Sequence, residues 1–424
     1  MNDASYTERD LAVIWHPYTQ MQTALPPVAM VSGKDALLYD DTGQAYIDAV
    51  SSWWVSIHGH GNAYIAEKIA AQAGILEHCI FAGFTHPPAV ILAERLLGVL
   101  PDNQRKIFYS DNGSTAVEVA LKMSIQYWHN QGIRKNKFIA FKHAYHGDTF
   151  GAMSVSGRSI FTRVFDDYLF DVVFLDLPTP ENITVLCEQI AGLSAEACAF
   201  IFEPLVLGSG GMLMYTPEML GMLMQVCRQH DILTIADEVM TGFGRTGKNF
   251  ALEYCSGKPD IICLSKGLSG GTLAFGVTTC TQDIYDVFLS DDKLKTLFHG
   301  HSFTANPVAC AAALASLDLF TASGCQDNIR RITEAHQRFS ERLKGHRKIK
   351  NLRQQGTIIA FEIVTPEADA YTNSMRDRLY KFFLDRKIIL RPLGNTLYIM
   401  PPYTITDAQL ETVYSAIMEL IAQS

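Results

Sequence analysis

Three stretches of this 424-residue chain place reactive side chains where apolar runs stop. ILTIADE ends on two adjacent carboxylates, Asp237 and Glu238. IICLSK ends on Lys266 and opens directly into GLSGG, so an amine closes an apolar strand beside a glycine-rich turn. KIFYS runs into Asp111, Asn112, Gly113, Ser114 and Thr115, where a strongly patterned helix begins. Glycine lets a backbone come close to a ligand, and the free N–H groups and dipole of a helix start suit a single phosphate. The same residues also suit a plain helix cap by Asn112 or Ser114, and the spacing alone leaves both readings open.

A fourth stretch, TGFGRTGKNF, carries Gly242, Gly247 and Lys248 in the order of a nucleotide-hydrolase phosphate loop. Such a loop needs a hydroxyl after the lysine to hold magnesium and runs straight into a helix. Here Asn249 follows, and the next residues read as a turn and a short element. Asp237 and Glu238 would also oppose a triphosphate. The Gly113–Ser114 segment is the better phosphate candidate.

The elements that must carry these residues alternate along the middle of the chain. Strands are expected at 106–110, 137–142, 171–176, 197–204, 232–238, 261–266 and 274–280, with amphipathic helices between several of them. That rhythm implies a mostly parallel sheet covered on both faces, with function at the strand ends. Beyond Asn306 the texture changes to a long helical run, a charged helix, short strands TIIAFEIV, KIILRP and TLYIMPP, and a final helix from Thr406. This reads as a separate α+β lobe. The expected division is 1–55 as an N-terminal segment contributing to the small domain and active site, 56–305 as the large domain, and 306–424 as the small domain.

Bulk properties narrow the classes further. Hydrophobic residues make up 48%, ample for a large core, and the net charge of -9 argues against nucleic-acid or anionic-membrane surfaces. No signal peptide or bilayer-length apolar run is evident, and nine cysteines without C-x-x-C suggest reduced thiols and no metal site. The expectation is a cytoplasmic protein acting on small molecules.

ADEVMTGFGRTG followed by LSKGLSGG resembles the class III pyridoxal-phosphate aminotransferases, over nearly the whole chain. IWHPYTQM (14–21), SSWW with SIHGH (51–60), AYHGDTFGAMSV (144–155) and LRPLGN with LYIMPPY (390–403) narrow the resemblance to the branch that makes 7,8-diaminononanoate for biotin. It implies fold type I, with a seven-stranded sheet in the large domain, and a homodimer with shared active sites. It also implies S-adenosylmethionine as amino donor and 8-amino-7-oxononanoate as acceptor, although lysine as donor stays open.

By that resemblance Lys266 forms the Schiff base with the cofactor and then moves the proton. Asp237 pairs with the pyridinium nitrogen, Val239 and Tyr145 pack on the two ring faces, and Gly113 and Ser114 cradle the phosphate. Gly300, His301 and Ser302 match a segment that completes the partner subunit's site, with His301 departing from the usual proline. Arg391, expected in a short strand, would hold a substrate carboxylate bidentately. Tyr18 and Trp53 would form an aromatic wall, with Trp54 as support on the opposite face of an extended strand. Asp148 could meet the acceptor's amino group. Glu203 resembles an acid found near the cofactor but equally suits a buried, hydrogen-bonded glutamate, and His16 and His58 read as structural. Rival readings are another class III aminotransferase, a pyridoxal-phosphate mutase or decarboxylase, and a nucleotide-binding switch.

Overall fold

Alternation of side chains explains the central layer. Phe138, Ala140, Ile201, Ile235 and Ile261 feed an apolar layer on one face of a sheet, while Ile139, Phe141, Phe200, Ala236 and Ile262 feed a layer on the other. Strands buried on both faces read as continuous apolar runs, and ACAFIF is buried at every position. The computed structural model of the chain describes residues 4–367 and 371–423.

In chain order the first strands are β1 (Met30–Lys34), β2 (Leu37–Asp40) and β3 (Ala45–Asp48). β4 (Gln104–Ser110), β5 (Lys137–Phe141), β6 (Val172–Leu175) and β7 (Ala197–Phe202) follow, then the small hairpin of β8 (Val206–Leu207) and β9 (Leu213–Met214). Next come β10 (Leu233–Asp237), β11 (Ile261–Leu264) and β12 (Gly276–Thr281). The last four are β13 (Ile349–Gln355), β14 (Ile358–Ile363), β15 (Ile388–Ile389) and β16 (Thr396–Ile399).

The seven expected middle runs all enter one sheet, ordered β4-β12-β11-β10-β7-β5-β6. Its pairs are parallel except that β12 runs against both β11 and β4. The chain is therefore an α/β protein built on a seven-stranded, mostly parallel sheet. The C-terminal ends of β4, β5, β7, β10 and β11 share one edge, which brings the polar strand-end residues together.

The C-terminal lobe holds the helix Pro307–Thr321, the charged helix Ser323–Leu343, the sheet β13-β14-β16 and the final helix Asp407–Gln423. β13 had no place among the expected strands, because its sequence, IKNLRQQ, is mostly polar and only partly buried. KIILRP forms only the two-residue β15, which pairs not with its lobe's sheet but with β3 from the N-terminal segment. Chain start and chain end are thereby joined in one four-stranded sheet. Among the described residues, no single helix is long and apolar enough to cross a membrane.

Candidate active site

The helix Gly113–Asn130 begins where β4 delivers it. Asn112 caps it, its side-chain oxygen accepting from Thr115 N at 2.9 Å while Thr115 Oγ1 accepts from Asn112 N. Such a cap is worth about 0.5–2 kcal/mol. With Asn112 as the cap, Ser114 is left for another task, and its hydroxyl meets Thr149 Oγ1 at 2.8 Å beside the cavity. A β-carbon on Gly113 would stand 2.7 Å from Val239 Cγ1, so only glycine lets the helix start come this close to β10's end. Gly147 serves the facing loop in the same way: its φ is +136°, and a β-carbon there would meet Ser114 Oγ at 2.2 Å.

Asp237 ends β10 and is buried. Its Oδ1 accepts from Val239 N at 3.1 Å, and its Oδ2 accepts from His146 Nδ1 at 2.6 Å. His146 is also buried, with Nε2 unpartnered among the described residues. Glu203, one residue past β7, accepts from Tyr145 N at 3.0 Å and Gly208 N at 2.9 Å. Burial pushes its carboxyl up to about 7, with the neighbouring Asp237 adding to the rise and His146 opposing it. Glu238 points away from the cavity and ties the following loop to itself through Thr241 Oγ1 and Leu252 N.

Lys266 follows β11 at a left-handed φ of 48°, starting a short 3-10 turn. Burial lowers its pKa from the ordinary amine value, with Asp237 and Glu203 opposing and Arg245 reinforcing the fall. A neutral amine is the nucleophilic form. Lys266, Asp237, Ser114, Gly113, Val239, Tyr145, Asp148, Tyr18, Trp53 and Arg391 all line one cavity of about 780 Å³.

The rest of the wall is aromatic. Tyr18 packs edge-on to Trp53 at 5.5 Å and to Phe161 at 5.6 Å, and Phe161 meets Tyr371 at 4.7 Å. Tyr18's hydroxyl donates to Asp148 and lies 3.3 Å from that of Tyr145, so the Asp148 carboxylate already has a partner inside the protein. The Arg391 guanidinium stacks 4.2 Å from the Trp53 ring centre.

Three expectations need correction. SSWW is a tight turn and not an extended strand, because Asp48 accepts from both Val50 N and Ser52 N and folds the segment back. Trp53 and Trp54 therefore both reach the cavity instead of facing opposite ways. Arg391 lies two residues beyond β15 in irregular backbone, where Pro392 cannot continue a ladder. As expected, the Gly242–Lys248 stretch is a series of turns that leads only into the short 3-10 turn Ala251–Tyr254, and Lys248 Nζ is spent on Glu253 O at 3.0 Å.

Gly300, His301 and Ser302 are not brought to this chain's cavity. They sit on a surface with Phe298 and Phe303, each about two-thirds exposed. Sequence reasoning did not assign His146, Thr149, Phe161, Tyr371 or Tyr398 to the site. His146 could have been found from its place directly after Tyr145, whereas Phe161 and Tyr371 sit in loops whose paths only the tertiary fold decides.

Comparison with known proteins gives a consistent picture. The sequence model of the aminotransferase class-III family matches residues 18–421. The chain is 46% identical, over 96% of its length and 98% of the relative's, to an adenosylmethionine-8-amino-7-oxononanoate aminotransferase of Synechococcus elongatus. It is similar to the crystal structure of the enzyme of that name from Methanocaldococcus jannaschii, with a TM-score of 0.94 and 35% identity, covering 99% of this chain and 98% of that one. A PMP-bound aminotransferase from Vibrio fluvialis matches at a TM-score of 0.90 and 26% identity over 99% of each chain.

Proposed function

The chain belongs to the class III aminotransferases, and on that premise we propose that it moves the amino group of S-adenosylmethionine to 8-amino-7-oxononanoate, with pyridoxal phosphate as cofactor. The product is 7,8-diaminononanoate, a precursor in biotin synthesis. The observation that carries the reading is the convergence of the Lys266 amine, the buried Asp237 carboxylate and the glycine-opened helix start on one cavity rimmed by Arg391.

The residues fit the cofactor by their chemistry. Gly113 leaves open the space a β-carbon would fill, Ser114 offers a hydroxyl, and the helix start offers free N–H groups for a phosphate. Asp237 supplies a buried anion for a protonated ring nitrogen, and Tyr145 and Val239 supply flanking surfaces. When bound, pyridoxal phosphate supplies an aldehyde that captures amines and a ring that accepts the electron pair left by deprotonation.

The protein's own groups do the rest. Lys266 Nζ, kept below its ordinary pKa, can take a proton from the substrate carbon and return it to an adjacent one. His146 orients Asp237 and holds it in place. Arg391 offers two parallel donors to a carboxylate, which both substrates possess. The aromatic wall excludes water and covers the alkyl chain or the adenine.

We also read the protein as a homodimer. Gly300, His301 and Ser302 lie away from their own chain's cavity, beside Phe298 and Phe303, both more than 60% exposed. That arrangement supports completion of each phosphate site by the partner. We keep the division into 1–55, 56–305 and 306–424, supported by the pairing of β3 with β15; residues 1–3, 368–370 and 424 lie outside those described.

A half-reaction tests the function. S-adenosylmethionine alone should convert the bound cofactor from its aldehyde to its amine form, with loss of the visible absorbance. Adding 8-amino-7-oxononanoate should restore it. No conversion with S-adenosylmethionine, but conversion with lysine, would reassign the donor.

A further inference from the structure

The Lys266 amine faces the ring of Trp54. Nζ lies 4.9 Å from the indole centroid, within the range where an ammonium is attracted to a ring face. Asp237 and Glu203 act on the amine only through space, so the indole is the surface it meets.

The ring is held firmly for this purpose. Trp54 is buried, and its Nε1 donates to the Tyr398 hydroxyl at 3.0 Å. Tyr398 also packs edge-on against it at 6.2 Å. Gly208 leaves the ring room, because a β-carbon there would stand 3.1 Å from Trp54 Cζ3.

The backbone is forced into place as well. Ser51, Ser52 and Trp54 have φ of 52°, 60° and 69°, a region that costs any residue with a β-carbon. Such strain persists only where the surroundings fix it. Here Asp48 binds Ser52 N at 2.7 Å, Ser51 Oγ donates to Met400 O at 2.9 Å, and the buried Arg245 donates to Trp54 O at 3.3 Å. A strained turn braced from three sides delivers one indole face to one amine.

We propose that Trp54 is a positioning residue for Lys266, its indole face holding the Nζ ammonium over the cavity in the interval when the amine, free of the cofactor, carries a proton. This rests on Lys266 being the cofactor-bonding lysine. A free amine on a four-carbon stem would otherwise sample the cavity, and the indole confines it near the reacting carbons. The other charged and titratable groups around it are Asp237, Glu203 and Arg245, with Tyr398 behind the indole and Tyr145, His146, Asp148, Tyr18, Tyr371 and Arg391 across the cavity.

The test reads the amine directly. In the full-length chain freed of cofactor, the rate of Lys266 acetylation by acetic anhydride is followed against pH by peptide mass spectrometry. Loss of a cation–π partner destabilises the ammonium, so Trp54→Leu should lower the amine's pKa. Labelling below that pKa should rise about threefold to tenfold. Trp54→Phe, which keeps a weaker ring face, should fall between, and Tyr398→Phe, which keeps the indole and its edge-on neighbour but loses their hydrogen bond, should shift least of the three. An unmoved profile in Trp54→Leu overturns the proposal, as does an upward shift from water entering the vacated space. So does a Tyr398→Phe profile that moves as far as Trp54→Leu. If Trp54→Leu does not fold, the comparison of Trp54→Phe with Tyr398→Phe decides in the same way. Borohydride reduction of the cofactor-loaded parent, with peptide mapping, tests separately whether Lys266 bonds the cofactor.

Discussion

His146 Nδ1 donates to Asp237 Oδ2 across 2.6 Å, with both side chains buried. The carboxylate's other oxygen is taken by Val239 N, so Asp237 is fixed in orientation from two directions. An anion so placed is pre-organised for a cationic ring nitrogen, and the histidine holds it there.

Asp237→Asn should reduce single-turnover rates by about a hundredfold or more, since an amide cannot sustain a ring cation. His146→Phe should cost roughly tenfold to a hundredfold, the scale of one hydrogen bond to a charged group. The double variant should lose little beyond Asp237→Asn alone, because the histidine acts through the aspartate. Stopped-flow half-reactions with cofactor occupancy checked in each variant make the comparison. Additive losses would mean that His146 acts independently.

Lys266→Ala and Ser302→Asp should each be inactive yet folded. Mixed and allowed to exchange subunits, they should regain part of the activity, because one site of each hybrid would combine an intact Lys266 with an intact Ser302. Verified hybrids that stay inactive would refute the cross-subunit assignment of Gly300 to Ser302.

Among the described residues no carboxylate pairs with Arg391, whose neighbour is the Trp53 ring. Arg391→Ala should therefore weaken apparent affinity for both substrates by about tenfold to a hundredfold, leaving the cofactor's absorbance normal. Arg391→Lys should recover little, because a single ammonium cannot reproduce two parallel donors. A fall in melting temperature with unchanged affinities would instead make the residue a structural one.

His336 joins the helix Ser323–Leu343 to the final helix, with Nδ1 2.7 Å from the Tyr414 hydroxyl and Nε2 3.1 Å from Thr357 O. A carbonyl only accepts, so Nε2 carries the proton and Nδ1 accepts from the tyrosine. Burial lowers its pKa from 6.5 to about 3, and that of His58 from 6.5 to about 4. The unfolded chain takes up these protons as pH falls below about 6.5, while the native chain does not. Stability from both is thus full above about 6.5 and lost progressively as pH falls towards 3. His336→Gln keeps a donor and an acceptor but does not titrate, so melting temperature should fall less between pH 7.5 and 4.5. An identical slope in parent and variant would exclude His336.

The central sheet was legible because its strands are buried on both faces, which leaves unbroken apolar runs such as ACAFIF. Lys266, Asp237 and Ser114 were legible because each stands where such a run stops. What the sequence concealed depends on contacts between distant segments. Asp48 turns SSWW back on itself, a bond no local pattern announces. Phe161 and Tyr371 join the aromatic wall from loops far apart in the chain. The GFGRTGK stretch, rightly set aside as a phosphate loop, has a structural use that the sequence did not announce. Its conspicuous Arg245 is buried and donates to Pro401 O and Trp54 O, so a segment resembling a phosphate loop fastens the two lobes.

The union of β3 with β15 also bears on how the protein is made. Ser51 bonds to Met400 and Trp54 to Tyr398, contacts spanning 349 and 344 residues. A nascent chain can fold its central sheet early, since those seven strands are complete by Thr281. The bracing of the Trp54 turn must wait, because β15 and β16 follow the last strand of that sheet much later in the chain. Until they emerge, β3 has an unpaired edge and the Trp54 turn lacks its bracing, a state open to aggregation. A chain interrupted before Ile388 would therefore hold all seven strands of the central sheet and lack the segments that pair with β3 and brace the Trp54 turn.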